Sequence, residues 1–144
     1  MIWPGRLELI ANRPPILLDG AHNPSGARAL RAYLDEFWQC PITLVFGAMN
    51  DKDIDRMAAE LFGVASTIVL TRVRDRRAAD NARLGASALR SSRNVIFAET
   101  VRQALSWARS VTPPEGLVCV SGSLYLVGEV KRLLEEADSQ TAVI

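Results

Sequence analysis

The sequence predicts an α/β fold of Rossmann-like type, with a mostly parallel sheet and helices on both faces. Short, continuously apolar segments alternate with longer segments whose apolar residues recur at helical spacing. This alternation is typical of parallel strands joined by crossover helices. A length of 144 residues, of which 49% are hydrophobic, fits a single domain with an ordinary core. We therefore expect one domain over residues 1–144.

Apolar runs of three to five residues mark the predicted strands. They lie at residues 16–18, 42–46, 67–70, 95–97 and 117–120, after a short alternating segment at 7–11. Uninterrupted runs of this length are typical of strands that are buried on both faces. We expect right-handed crossovers between them.

Capping residues mark the predicted helices between these strands. Asn23 is followed by proline, which predicts an N-cap and a first helical residue. Asp53 and Thr100 are predicted to cap two further helices. A weaker helix is predicted over residues 81–89, and a last helix should run to about Ala137.

Composition and charge indicate which kinds of partner and which location to expect. The net charge is +1, so the sequence predicts no nucleic-acid partner and no membrane partner. The first residues do not follow the plan of a signal peptide, and no apolar run approaches the roughly 20 residues of a spanning helix. We therefore expect a cytoplasmic protein.

Several catalytic and binding motifs are absent from the sequence. It contains no G-x-x-x-x-G-K-S/T, no G-x-G-x-x-G and no G-x-S-x-G segment. The single histidine, His22, and the separated cysteines Cys40 and Cys119 exclude the common zinc patterns. Cys119 lies in an apolar run and is expected to be buried. We expect no metal site and no complete set of catalytic residues.

The first strand-to-helix turn, residues 19–24, is the most informative candidate site. Ligands of parallel sheets collect at the carboxyl ends of strands, where Asp19 could accept hydrogen bonds from ribose hydroxyls. His22 could stack on a base, donate a hydrogen bond or titrate. The helix that follows Asn23 offers free N–H groups to an anion. From the residues alone, a structural role, in which Asp19 caps the turn and His22 is only structural, is as favoured as a binding role.

Two later turns are more ambiguous. In the turn at 121–123, Ser121 and Ser123 flank a glycine, and successive N–H groups there could form an anion-binding nest. Taken alone, this turn favours a simple N-cap. In the turn at 47–53, Lys52 stands between two aspartates, a pattern that favours a solvated helix start over a binding site.

A dense group of arginines follows the strand at 67–70. Its members are Arg72, Arg74, Arg76 and Arg77. They lie beside Asp75 and Asp80, so the sequence favours a solvated loop over a specific anion site.

Four segments, in order, resemble one family. They are W-P-G-R-L-E at 3–8, D-G-A-H-N-P at 19–24, D-K-D at 51–53 and S-G-S-L-Y-L at 121–126. They are similar to segments of the C-terminal domain of folylpolyglutamate synthases and bifunctional dihydrofolate synthases, within the Mur ligase family. The resemblance runs from about Trp3 to Glu135 and implies the fold of a Mur ligase C-terminal domain.

The resemblance implies an ATP-dependent amide ligase that adds L-glutamate to a folate or to dihydropteroate through an acyl phosphate. ATP and Mg would be its cofactors, with the metal ligands mainly in an N-terminal P-loop domain that this sequence lacks. That domain would be the main protein partner. Residues 1–5 are then a linker remnant and 138–144 a frayed tail. The resemblance leaves open whether the enzyme is a dihydrofolate synthase, a folylpolyglutamate synthase or both.

The resemblance also implies roles for individual residues. Arg6 and Asp19 would contact ATP, and His22 would lie in the same interdomain cleft, within reach of ATP and glutamate. Ser123 would bind the incoming glutamate. Supporting roles fall on Asn23, Lys52 and Ser121. The loop departs from many relatives, which have proline where Arg76 stands, so no role is carried onto Arg77.

An alternative is a stand-alone, non-catalytic nucleotide-binding or interaction module of doubly wound fold, including the receiver-like kind. A receiver would gather acidic residues near its first strand and place a lysine at a late strand end. Here Arg13 and two prolines precede the first strong strand, and the last strand ends at Ser121. Both features disfavour a receiver.

Overall fold

The computed structural model describes residues 6–91 and 94–142, without the side chains of 139–142. The elements in chain order are β1 (Glu8–Ile10), β2 (Ile16–Leu18), α1 (Pro24–Phe37), β3 (Ile42–Phe46), α2 (Ile54–Leu61), β4 (Thr67–Thr71), α3 (Asn81–Ala88), β5 (Asn94–Ala98), α4 (Val101–Val111), β6 (Leu117–Ser121) and α5 (Leu124–Ala142). Short 3₁₀ turns follow α2 and α3. Every predicted strand and helix is present.

The strands form one sheet in the order β1-β2-β6-β3-β4-β5. All neighbouring pairs are parallel except β1 and β2, which are antiparallel. The last strand lies in the middle, with Cys119 opposite both Leu17 and Leu44. The predicted mostly parallel sheet is confirmed.

Alternate strand residues point to opposite faces of this sheet. Leu44, Ile68 and Cys119 belong to the core cluster on one face, together with buried residues of α1, α2 and α3. Val45 and Val69 belong to the cluster on the other face, together with buried residues of α4 and α5. Each fully buried aliphatic side chain contributes about 1.5–3 kcal/mol, so these two clusters are the main source of stability. The predicted helices on both faces are confirmed.

The connections create two crevices at the carboxyl edge of the sheet. The chain steps from β2 to β5 through α1, α2 and α3 on one face and then returns through α4 on the other. Helices that follow neighbouring strands therefore diverge at β6 and again between β4 and β5. Ligands of open α/β sheets bind at such points of divergence.

The predicted helix caps are present. The Asn23 Oδ1 accepts a hydrogen bond from the Gly26 N–H at 2.7 Å. The Thr100 Oγ1 accepts one from the N–H of Gln103 at 3.0 Å. Asp53 likewise caps α2. Each cap satisfies a donor that the helix itself leaves unpaired.

The ends of the chain differ from expectation. Helix α5 continues to Ala142, beyond the predicted end at about Ala137, because no glycine or proline follows Ala137 to stop it. The predicted linker at 1–5 lies outside the described residues, as do 143 and 144. In the part of the chain that the structure describes, no helix has the length and apolar character needed to cross a membrane.

Both cysteines are free thiols. Cys119 is fully buried in β6, as predicted, and burial raises the pKa of its thiol. Burial also raises the pKa of Cys40. Because Cys119 is fully buried and the thiolate is the reactive form, Cys119 is not a candidate nucleophile.

Candidate functional site

The three predicted turns, numbered in chain order as the first (19–24), the second (47–53) and the third (121–123), meet at the carboxyl edge of the sheet. The Gly122 N–H donates to the carbonyl of Ala21 at 3.1 Å, and the Gly47 N–H donates to that of Ser121 at 3.4 Å. Gly122 has φ +115, and a Cβ added there would collide with the carbonyl oxygen of Gly47. Only glycine allows this approach, so the sequence of the third turn fixes its contact with the second.

A cavity of about 360 Å³ lies beside the first turn. Its lining includes Arg6, Asp19, His22 and Asn23, four of the residues singled out from the sequence. They come from the segment before β1, from the end of β2 and from the start of α1. The remaining lining is Leu7, Gly20, Ala21, Ser25, Gly26, Ala29 and Leu30. We take this cavity as the candidate site.

Asp19 joins two sides of the cavity. Its Oδ1 accepts a hydrogen bond from the Leu7 N–H at 3.0 Å, and its Oδ2 accepts one from the Ala21 N–H at 3.2 Å. Burial raises the pKa of this carboxyl, against the opposing effects of the two N–H groups and of Arg6. The residue therefore has the turn-capping role that the sequence left open. Each oxygen keeps a second lone pair that a ligand hydroxyl could use.

His22 has a fixed tautomer. Its Nδ1 lies 2.9 Å from the carbonyl oxygen of Gly20. A carbonyl only accepts, so Nδ1 carries the proton in this contact. In the neutral ring, Nε2 is then left as an acceptor, and in the charged ring it becomes a donor. The ring is half-buried beside the cavity, where it can act on a ligand in either way.

The N-terminus of α1 presents one free donor to the cavity. Pro24 has no N–H, and Asn23 satisfies both Gly26 and Ala27 through its side-chain and backbone oxygens. The N–H of Ser25 has no partner among residues 6–91 and 94–142, and Ser25 lines the cavity. A free N–H at the positive end of a helix favours an anion. Sequence reasoning anticipated this donor without identifying its residue.

The serines of the third turn are placed differently from the other candidates. Ser123 is 2% exposed, and its Oγ accepts a hydrogen bond from the Tyr125 N–H at 3.0 Å, as an N-cap of α5 does. Ser121 is fully buried, and its Oγ has no hydrogen-bond partner in the described structure. Neither lines the cavity, because the turn is pressed against the carbonyl of Gly47. Ser121 could therefore support the site only indirectly, through the conformation of the turn.

Lys52 also lies outside the cavity lining. Its own turn is fastened to the loop after β4, since the Asn50 N–H donates to the Arg77 carbonyl at 2.7 Å and the Ala79 N–H donates to that of Ala48 at 2.9 Å. The solvated helix start that the sequence favoured for this segment agrees with exposed Asp51 and with the capping role of Asp53.

A cluster that the sequence did not anticipate joins this loop to α5. The Arg77 Nη2 donates to the Tyr125 hydroxyl at 3.2 Å, and the guanidinium carbon lies 5.4 Å from the centre of that ring. The Arg77 Nε donates to Asp75 at 3.1 Å and, with the Arg77 N–H, lowers the pKa of that carboxyl. The dense arginines were the one sequence signal for this contact, because Arg77 and Tyr125 lie 48 positions apart.

The described residues offer no group of three or more His, Cys, Asp and Glu side chains that could hold a metal ion. The polar groups of the cavity are one carboxylate, one imidazole, one guanidinium, the Asn23 amide, the Ser25 hydroxyl and the free N–H of Ser25. This set suits a phosphorylated or carboxylated ligand with hydroxyl groups better than a bare cation.

Comparison with known proteins gives a family and several relatives. Residues 5–124 match the family described as "Mur ligase, glutamate ligase domain". The folylpolyglutamate synthase of Lacticaseibacillus casei is 37% identical over 133 residues, which cover 92% of this chain and 30% of that protein.

Solved structures of similar fold include two synthases. The Mycobacterium tuberculosis folylpolyglutamate synthase complexed with ADP gives a TM-score of 0.85 at 30% identity, covering 92% of this chain and 32% of that one. The bifunctional folylpolyglutamate synthase/dihydrofolate synthase of Yersinia pestis, complexed with AMPPNP and Mn ion, gives a TM-score of 0.85 at 27% identity, covering 93% and 32%. The chain spans about a third of the length of these relatives.

Proposed function

This chain belongs to the Mur ligase family, whose glutamate ligase domain it matches, and from that premise we propose that it is part of an ATP-dependent ligase that adds L-glutamate to folates. In the proposal, the chain is the C-terminal domain of a folylpolyglutamate synthase, a dihydrofolate synthase or a bifunctional enzyme. It supplies part of the nucleotide site and part of the glutamate site. A P-loop domain completes the active site from the other side.

The single observation that carries the proposal is the cavity that Arg6, Asp19 and His22 share. Nucleoside triphosphates need an acceptor for ribose hydroxyls and donors for phosphate oxygens. Asp19 keeps free lone pairs for the ribose, and the guanidinium of Arg6 can hold a phosphate with two parallel hydrogen bonds. The free N–H of Ser25 adds a donor at a helix N-terminus. Relatives complexed with ADP and AMPPNP support this assignment.

The glutamate is placed where the third turn meets the first. Helix α5 begins there, and its positive end favours a carboxylate. Ser123 caps that helix and so orients its first N–H groups, while Nε2 of His22 is free to contact the ligand. Ser123 acts by positioning, since it is 2% exposed. Asn23, Lys52 and Ser121 remain supporting residues of the surrounding turns.

The reaction follows from the chemistry of the bond. An acceptor carboxylate takes the terminal phosphoryl group of ATP, and the glutamate amine then displaces phosphate to form the amide. In such a reaction the protein mainly positions the reacting groups and stabilises the charge on the transferred phosphoryl group. Arg6, arriving from a second domain, would stabilise phosphate charge, and domain closure would exclude the water that hydrolyses an acyl phosphate. The ligands for magnesium, whose charge would neutralise that of the phosphates, would lie in the P-loop domain.

The test is a ligation assay. The chain alone should give no ATP-dependent glutamylation of tetrahydrofolate or dihydropteroate, and the chain joined to its P-loop domain should give glutamylated product by mass spectrometry. The acceptor that reacts decides between the two synthase activities. Absence of product with both acceptors, in a folded two-domain protein, would refute the proposal. An in-frame G-x-x-G-K-S/T segment upstream of this sequence in its gene is the simplest supporting observation.

A cytoplasmic location is part of the same proposal, because ATP, glutamate and folates are cytoplasmic metabolites. Cell fractionation with an antibody against this chain would test it. Recovery with the membrane or extracellular fraction would contradict it.

A further inference from the structure

A second depression lies on the face of the sheet that carries α4 and α5. Two adjoining cavities, of about 620 and 670 Å³, share Val73, Arg74, Glu129 and Arg132 in their linings. One of them reaches Leu124 and Tyr125 at the start of α5, and the other reaches residues 99–102 at the start of α4. We call the whole depression the arginine groove.

Five arginines line the groove: Arg72, Arg74, Arg76, Arg102 and Arg132. Among the described residues, only Arg102 of these five has an ion-pair partner, Glu136 at 3.4 Å. Of the carboxylates in the lining, Asp75 is held by Arg77, whereas Glu99 and Glu129 have no ion pair within the described residues. The unpaired guanidinium groups therefore outnumber the unpaired carboxylates by four to two.

Topology explains why this groove is open. Its floor is at the carboxyl ends of β4 and β5, where α3 leaves towards one face of the sheet and α4 towards the other. No helix crosses such a point, which makes it a place where ligands bind. The sequence favoured a solvated loop for the arginines after β4. Their arrangement around one cavity, opposite Arg132 of α5, favours the anion site instead.

We propose that the arginine groove binds the γ-glutamyl chain of a polyglutamylated folate. This inference rests on the proposed function. One end of the groove lies at Tyr125, two residues from Ser123, where the incoming glutamate is placed. A chain that grows by one glutamate at a time carries one side carboxylate for each residue added. It needs a path lined with guanidinium groups that starts at the ligation site.

The mixed lining of the groove fits that chain. Guanidinium groups bind its carboxylates in pairs of hydrogen bonds. Its amide N–H groups can donate hydrogen bonds to the carboxylates of Glu99 and Glu129. Its methylene groups would pack against Leu133, a half-buried residue of the lining. A compact polyanion has neither amide donors nor spaced charges and gains less from such a surface.

Calorimetric titration of this 144-residue chain with γ-linked tetraglutamate is the test. We expect binding about tenfold tighter than for free glutamate or for citrate, a compact polyanion without amide donors. Arg72→Gln and Arg132→Gln should each weaken it about fivefold, in proportion to a lost charge-assisted contact. Arg109→Gln, an exposed arginine of α4 outside the groove, is the matched control and should bind like the natural chain.

The outcomes separate this inference from the proposed function. Equal affinity for tetraglutamate and citrate, no measurable binding, or equal weakening by Arg109→Gln would overturn the groove assignment, even if the two-domain enzyme ligates glutamate. Selective binding of tetraglutamate, weakened in the two groove variants, supports it even if the ligation assay fails. Circular dichroism of each variant shows that lost binding is not lost folding.

Discussion

The Asp19 carboxylate accepts a hydrogen bond from the backbone N–H of Leu7 at 3.0 Å, across 12 positions of the chain. Its other oxygen accepts the N–H of Ala21. One buried side chain thus holds both the segment that carries Arg6 and the turn that carries His22. The geometry of the candidate site depends on this link.

Asp19→Ala should therefore destabilise the fold as well as impair the site. Two backbone donors lose their acceptor, and each costs about 1–3 kcal/mol if it stays unsatisfied. Urea denaturation followed by circular dichroism measures the free energy of unfolding. Asp51→Ala, at an exposed position in the second turn, should change it by less than about 0.5 kcal/mol. Equal effects of the two substitutions would show that the link does not support the fold.

The raised pKa of Asp19 predicts a pH dependence of stability. A carboxyl with a higher pKa in the folded than in the unfolded state binds its proton more tightly when folded. Its stabilising contribution is complete below the unfolded value near 3.8 and is lost as the pH rises through the folded value. The free energy of unfolding should fall across this window relative to that of Asp19→Asn, which does not titrate there.

Urea denaturation of both proteins at a series of pH values measures this difference. The lowered pKa values of Asp55 and Asp75 act in the opposite direction but cancel, because both proteins contain them. A difference that grows in favour of the natural chain as the pH rises would show that hydrogen bonding, and not burial, controls Asp19.

Gly122→Ala and Gly128→Ala form a matched pair with opposite expectations. Gly122 has φ +115 and faces the Gly47 carbonyl, so the new methyl adds a collision to a backbone strain of about 1–3 kcal/mol. Gly128 lies in α5 with nothing within 4 Å of an added Cβ, so alanine there should stabilise the protein by about 1 kcal/mol. Thermal and urea denaturation give both values. Stabilisation by Gly122→Ala would refute the close contact between the second and third turns.

In the proposed two-domain enzyme, Arg6→Ala should lower kcat/KM for ATP by at least about tenfold, because the proposed bidentate contact with phosphate is lost. Arg6→Lys should restore part of the activity, since lysine supplies the positive charge but not the two parallel hydrogen bonds of a guanidinium. Arg13→Ala, also exposed but outside the cavity, serves as the control. Normal kinetics for Arg6→Ala would remove the nucleotide assignment of this residue.

Local signals allowed much of the fold to be predicted. The helix starts at Asn23, Asp53 and Thr100 follow from side chains that satisfy nearby N–H groups, so short sequence motifs identify them. Strand order does not follow from such motifs. The position of β6 between β2 and β3 depends on pairing between residues about a hundred positions apart, such as Ile16 and Val118.

The candidate site also has a part that local signals predict and a part that depends on tertiary packing. Arg6, Asp19 and His22 were predicted because strand ends and a family resemblance identified them, and they line one cavity. The burial of Ser123 was not predicted, because it results from packing of the third turn on the second. The contact of Arg77 with Tyr125 also depends on tertiary structure, which no local pattern encodes.

The central position of β6 has a consequence for synthesis on the ribosome. Within residues 6–91 and 94–142, strand β2 pairs only with β1 and β6, so the hairpin that ends at Asp19 has no sheet to join until residues 117–121 have emerged. Contacts of such long sequence separation form late. A nascent chain lacking β6 exposes the edges of β2 and β3, and the Asp19 N–H lacks its acceptor on Val120. The candidate cavity can therefore settle on a complete sheet only after β6 has left the ribosome.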